Sequence, residues 1–180
     1  CCMHTEAIGT AARDGNYQID FLAQGDAKRV GQKDFHNSEA IRAVGAVDLS
    51  HLTVLEVRPS SPAVSGDDVV WYRISDRRSL VLCPRSHAAS VRADLGERFV
   101  LDVSGALGVL ALVGPERHTV LRRLTHLHHL PASGEVSHIM NAHVLEVGEM
   151  IWIVFPQEFG HFLWQVAVNR ASSLEGGPVG

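Results

Sequence analysis

SLVLCPRSHAASV (residues 79–91) and MIWIVFPQEFGHFLW (residues 150–164) decide the fold. Each is an apolar run closed by a proline, Pro84 in the first and Pro156 in the second, and each passes directly into a helix-forming segment. Proline cannot donate to a strand ladder, so it ends the strand, and its fixed φ suits the first turn of a helix. A second strand-forming stretch precedes each run at hairpin distance. It is VVWYRI (69–74) before the turn Ser75-Asp76-Arg77-Arg78, and AHVLEV (142–147) before Gly148-Glu149. Hairpin, proline and helix therefore occur twice, over 69–95 and 142–168, with Trp71 and Trp152 in the same part of each unit. The expected fold is α+β: two related antiparallel-sheet-plus-helix units.

Working outward, Ser86 is placed to cap the first helix, with Ala89, Val91 and Leu95 inward and Gly96 as its stop. The second helix, 157–169, should turn Phe159, Phe162, Leu163 and Val166 inward. Between them, 99–103 and 109–113 read as apolar strands. Gly114-Pro115 opens a helix carrying Val120, Leu121, Leu124 and Leu127 on one face, and Pro131 to Gly134 reads as a loop. Upstream, Asn37 or Ser38 could cap a short helix over 39–44, followed by a strand region over 47–57 and a turn over 59–62. The expected organisation is an extended N-terminal arm (1–36), a first α+β unit (37–98), a second (99–172) and a loose tail (173–180).

The chain has 180 residues and a mass of 19.6 kDa, enough to bury a core without disulfides or metal staples. Its net charge of -4 argues against a nucleic-acid or anionic-membrane binder, which needs a basic face. No apolar run reaches the roughly 18 residues of a membrane-spanning helix. Cys1, Cys2 and Cys83 do not form a disulfide framework, which points to a reducing cytoplasm. The Cys1-Cys2 start admits a processed lipoprotein as the lesser alternative to a trimmed chain.

The chemical inventory is sparse. His126, His128 and His129, followed by His138 and His143, suggest zinc, but the cluster lacks a cysteine or carboxylate at metal spacing. Residues at the end of a helix, where histidine suits the C-terminal dipole, explain them as well, and no metal site is assigned. Cys83 sits in an apolar strand and should be buried and inert. Gly105, Gly108 and Gly114 match no phosphate-binding fingerprint. Asp48 and Asp102 each follow an apolar run and stand two residues before a serine. Each is a candidate pocket carboxylate or an Asx-turn acceptor. No catalytic or cofactor-binding residue is assigned. Tyr17, Phe21, Trp71, Trp152 and Trp164 are candidate interface anchors, since large aromatics concentrate at buried interfaces.

The stretch VLDVS (100–104) followed by VLALVGPER (109–117) and Val120-Leu121 resembles the γ subunit of heterotetrameric sarcosine oxidase. Leu130-Pro131, IWIVFPQEFGHFLWQVAV (151–168) and the hairpin from Trp71 to Leu82 extend the likeness over about residues 45–170. AIRAVGAVDLSHLTVLEV (40–57), with Asp48-Leu49-Ser50-His51, resembles the wider group of folate-binding aminomethyltransferases typified by the glycine-cleavage T-protein. The resemblance implies a T-protein-like fold and a small subunit without a redox cofactor. FAD, FMN, NAD and tetrahydrofolate would then sit on larger flavin-binding partner subunits, as in related N-methylglutamate dehydrogenase-type complexes. The loop LTHLHHLPASG (124–134) departs from that pattern by its histidines and leaves the substrate open.

Three functions follow as expectations. The first is a non-catalytic structural subunit of an oxidase or dehydrogenase of N-methyl amino acids, with an obligate interface above about 2,000 Å². The second is a stand-alone tetrahydrofolate-dependent aminomethyltransferase using Asp48 or Asp102. The third is a metal protein built on the histidines.

Overall fold

The computed structural model describes residues 44–59 and 68–175. The arm expected over 1–36, the helix expected over 39–44 apart from Val44, most of the turn expected over 59–62, and residues 176–180 of the expected loose tail lie outside these residues; residues 173–175 of that tail instead continue the last helix.

Nine strands form two antiparallel sheets among the described residues. They are β1 (Gly45–Asp48), β2 (Thr53–Arg58), β3 (Val70–Ser75), β4 (Arg78–Cys83), β5 (Phe99–Asp102), β6 (Leu107–Val113), β7 (Ala132–Val136), β8 (Met140–Val147) and β9 (Met150–Pro156). One sheet has the order β3-β4-β2-β5, the other β1-β6-β9-β8-β7. The helices are α1 (Ala88–Leu95), α2 (Arg117–Leu124) and α3 (Gly160–Glu175).

Three apolar clusters give the layer order. Val91 and Leu95 of α1 pack on Leu55, Val57 and Val81 of the smaller sheet. The opposite face of that sheet, with Val54, Leu80 and Leu82, meets Val109, Ala111, Trp152 and Val154 of the larger sheet. The outer face of the larger sheet, with Leu110, Leu112, Ile151 and Ile153, is covered by α2 and α3. The chain is thus an α/β/β/α stack. Strands β4 and β9 are buried along most of their length because both of their faces are covered.

The two units are related in register as well as in order. Sheet order β3-β4-β2-β5 maps onto β8-β9-β6-β1, each sheet taking its last strand from the other half. Val54 pairs with Leu82, and Glu56 with Leu80; correspondingly, Val109 pairs with Val154, and Ala111 with Trp152. Tyr72 opposite Leu80 corresponds to Leu145 opposite Trp152. Asp102 opposite Leu55 corresponds to Asp48 opposite Leu110. These registers independently align Pro84 with Pro156, and each proline leads through a 3-10 turn (Arg85–His87, Gln157–Phe159) into its helix. Across the sequence division expected at 98/99 the strands are exchanged: β5 hydrogen-bonds to β2, and β1 to β6.

Several local expectations are corrected. The region 47–57 is two strands in different sheets, because the chain crosses between layers at 49–52. The helix after Pro84 has no side-chain cap from Ser86, and Ala89 is exposed. Residues 131–134, read as a loop, run into edge strand β7; Gly134 belongs there because a Cβ would stand 2.9 Å from Leu127 Cδ2. On α3, Trp164 is buried and Phe162 is 36% exposed, the reverse of the expectation for Phe162. Trp71 and Trp152 are not equivalent: Trp71 faces the α1 layer, whereas Trp152 lies between the sheets.

Candidate functional site

The two Asp-x-Ser segments occupy the two crossings between sheets. Asp48 Oδ1 accepts from Ser50 N at 2.8 Å, and Asp102 Oδ1 accepts from Ser104 N at 3.1 Å. At the first crossing Leu49 N donates to Val109 O at 2.8 Å, while Val109 N donates to Ser50 Oγ at 3.1 Å. At the second, Val103 N donates to Val54 O at 2.9 Å, and Val54 N donates to Ser104 Oγ at 2.9 Å. Each half therefore clasps the other through the same three residues. Asp102 also pairs with Arg92 of α1 at 2.7 Å. The Ser104 hydroxyl bond, the Ser104 amide and Arg92 together outweigh burial and hold the Asp102 carboxyl below its usual range. Both candidate pocket carboxylates serve as Asx-turn acceptors that fasten the crossings.

Of the candidate interface anchors, Tyr17 and Phe21 lie outside the described residues. Trp164 is 2% exposed and Trp152 8% exposed; both are core side chains of this chain alone, so neither is a surface anchor. Trp71 is half-buried against the α1 layer.

The histidines separate. The rings of His126 and His138 meet at 5.8 Å between centroids, tilted by 54°, and Glu135 holds His138 Nδ1 at 2.9 Å. His128 lines a cleft of about 170 Å³ with His118, Glu146 and Leu121, below the roughly 300 Å³ of an ordinary ligand pocket. Among the described residues no three His, Cys, Asp or Glu side chains converge as metal ligands. Burial pushes the Cys83 thiol up, and the side chain is 1% exposed.

His143 faces inward instead. Opposite Val154, it looks into the layer between the sheets. Ser133 Oγ stands 2.7 Å from His143 Nδ1 and 2.6 Å from Tyr72 Oη, and the Tyr72 and His143 rings meet at 5.3 Å. This chain ties β3 of one sheet to β7 and β8 of the other. Burial, and then the positive charge of Arg78, push the imidazole below its ordinary value.

Arg78 belongs to the second part of this polar band. Glu56 projects from β2 into the inter-sheet layer and is 4% exposed. Its carboxylate receives Arg58 Nη2 at 2.5 Å, Arg58 Nε at 2.8 Å and Arg78 Nη2 at 2.7 Å. Burial alone would raise this carboxyl, but the two guanidinium groups outweigh burial and hold it below the usual range. The triad carries two positive charges against one negative. Beside it on the same face, Leu101 stands opposite Glu56, and Phe99 opposite Arg58.

No family profile matches the chain, and no curated protein is detectably similar. Among solved structures it is similar to heterotetrameric sarcosine oxidase from Corynebacterium sp. U-96 in complex with pyrrole 2-carboxylate. That match has a TM-score of 0.61 and 21% identity, over 77% of this chain and 89% of the matched chain. The chain has a sarcosine oxidase- and T-protein-like fold. The second likeness is to the glycine cleavage system aminomethyltransferase T from Bartonella henselae, with a TM-score of 0.53 and 16% identity. It covers 71% of this chain but 46% of that one, so the chain spans less than half of that enzyme's length.

Within this sarcosine oxidase- and T-protein-like fold, the first three residues of the motif that carried the T-protein resemblance, Asp48-Leu49-Ser50, form a crossing clasp. Glu56, Arg58, Arg78, Tyr72 and Ser133 were not legible as a group. One signal did exist: Glu56 is a lone acid at an inward position of the apolar strand TVLEV, with an arginine two residues on and so on the same face.

Proposed function

We propose that the chain is a small, non-redox structural subunit of a multi-subunit, flavin-dependent oxidase or dehydrogenase of N-methyl amino acids. One observation carries the reading. The likeness to a chain of heterotetrameric sarcosine oxidase spans 77% of this chain and 89% of that one, so the two are of comparable size and similar over most of their length. In this reading FAD, FMN, NAD and tetrahydrofolate are held by larger partner subunits, and the complex works in the cytoplasm. The role of this chain is to present a stable surface. Its two candidate carboxylates accept hydrogen bonds in the turns that join its sheets.

The test is to tag the chain in its native host, purify it without dissociating complexes, and record subunit masses and the visible spectrum. Larger chains and a yellow flavin spectrum are expected. A colourless 19.6 kDa monomer would overturn the reading. The likeness to aminomethyltransferase T favours one alternative, a stand-alone tetrahydrofolate-dependent aminomethyltransferase. Saturable tetrahydrofolate binding by the isolated chain would establish it.

A further inference from the structure

The registers make each half a control for the other. Glu56, Arg58 and Arg78 occupy the positions that Ala111, Val113 and Met150 occupy in the second half. The twin site is apolar, with Ala111 at 0% exposure, Val113 at 5% and Met150 half-buried. The same backbone thus closes without any charge there. A buried ion pair adds little stability over apolar residues of similar size. The fold does not account for the triad.

A second asymmetry adjoins it. Val47 in β1 is 2% exposed, whereas its counterpart Leu101 in β5 is 48% exposed, and Phe99 beside it is 59% exposed. These are two of the four exposed large apolar side chains among the described residues, and they are neighbours on one strand face. Contiguous exposed apolar surface marks an interaction site. Glu56 fixes the two guanidinium groups while leaving Arg58 Nη1 and Arg78 Nη1 outside its hydrogen bonds. The side chains of Arg58 and Arg78 are 56% and 45% exposed. Two held forks with one positive charge in surplus suit a carboxylate, which takes paired N–H donors.

The geometry points to this face, Phe99 and Leu101 leading to Arg58 and Arg78, as the seat for a partner-subunit segment that carries an Asp or Glu among apolar residues. The inference rests on the subunit reading above. The apolar side chains of the segment would lie on Phe99 and Leu101, and its carboxylate would reach the two guanidinium groups. Glu56 is then a positioning residue.

The test measures how much of the larger chains the tagged full chain retains in native purification, across a salt series. Phe99→Ser with Leu101→Ser alters exposed residues only, and should lower retention by about tenfold or more. Arg58→Ala leaves Glu56 paired with Arg78 and removes the surplus charge. It should lower retention and flatten its salt dependence. Ile139→Ser, at an equally exposed apolar residue on the β7–β8 turn, is the control and should retain wild-type binding. Melting curves of every variant exclude unfolding as the cause. Full retention by both face variants, or equal loss in Ile139→Ser, overturns the inference and leaves the subunit reading standing. A wild-type chain that retains nothing overturns both.

Discussion

Replacing Glu56 tests whether the charged triad stabilises the fold or merely tolerates it. The Glu56 side chain is 5% exposed, and its partners are 56% and 45% exposed. Breaking a wholly buried ion pair costs about 3–5 kcal/mol, and an exposed pair contributes about 0.2–1 kcal/mol. With one partner buried and two half in water, Glu56→Gln falls between these limits, at about 1–3 kcal/mol. In a domain of this size 2 kcal/mol lowers Tm by about 4–8 °C. The companion variant combines Glu56→Met, Arg58→Val and Arg78→Met. The last two take the residue types of the twin site, and Met at 56 keeps the volume that Trp152 supplies there and Leu80 does not. It removes every charge together, so it should lie within about 1 kcal/mol of wild type. Urea unfolding of the full chain, followed by far-UV circular dichroism, gives both values. The pH dependence adds a sign. Glu56 has a lowered folded value, so its contribution is present above its ordinary 4.5 and is lost as pH falls through the lowered value. That acid limb should vanish in the triple variant. A triple variant as unstable as Glu56→Gln would refute the argument, because the triad would then be required by the fold.

Three other outcomes are expected. Ser50→Ala and Ser104→Ala each strip the side-chain acceptor from a strand N–H, of Val109 and Val54 respectively, so each should cost about 1–3 kcal/mol in urea unfolding, and by similar amounts. His143 has a folded value below its ordinary 6.5, so its share of stability is present above 6.5 and is lost as pH falls through the lowered value. Unfolding midpoints of His143→Gln should decline less than wild type over that range, and equal declines would remove His143 as the cause. Gly108→Ala would place a Cβ 2.7 Å from Cζ of the fully buried Phe155, and a measured loss well below about 1 kcal/mol would show that the ring can move.

The fold was legible where a local rule operates. Pro84 and Pro156 each end a strand and start a helix whatever surrounds them, and aligning them recovered the repeat. What escaped depends on partners distant in sequence. β7 holds Gly134 and polar residues because edge pairing to β8 supplies its ladder, which no propensity within 132–136 announces. Phe162 and Trp164 both suit a buried face; the choice between them follows from where α3 rests on β1 and α2. The crossing at 49–52 was hidden because two apolar strands flank it, and nothing local says that they belong to different sheets.

The site was less legible for the same reason. Asp48 and Asp102 stood out because a carboxylate two residues before a serine has a local meaning, and the local meaning is what the structure contains. Glu56, Arg58 and Arg78 stand out only against their counterparts. A glutamate in an apolar strand is odd; a glutamate where the twin strand has Ala111, paired with arginines where the twin has Val113 and Met150, is a departure between two otherwise matched registers. Internal duplication thus substitutes for a comparison between relatives. Positions that kept their chemistry in both halves, the clasps and the prolines, report what the fold requires. Positions that differ in charge and exposure, the triad with Phe99 and Leu101, are where the two halves part, and the interface proposed above is placed there.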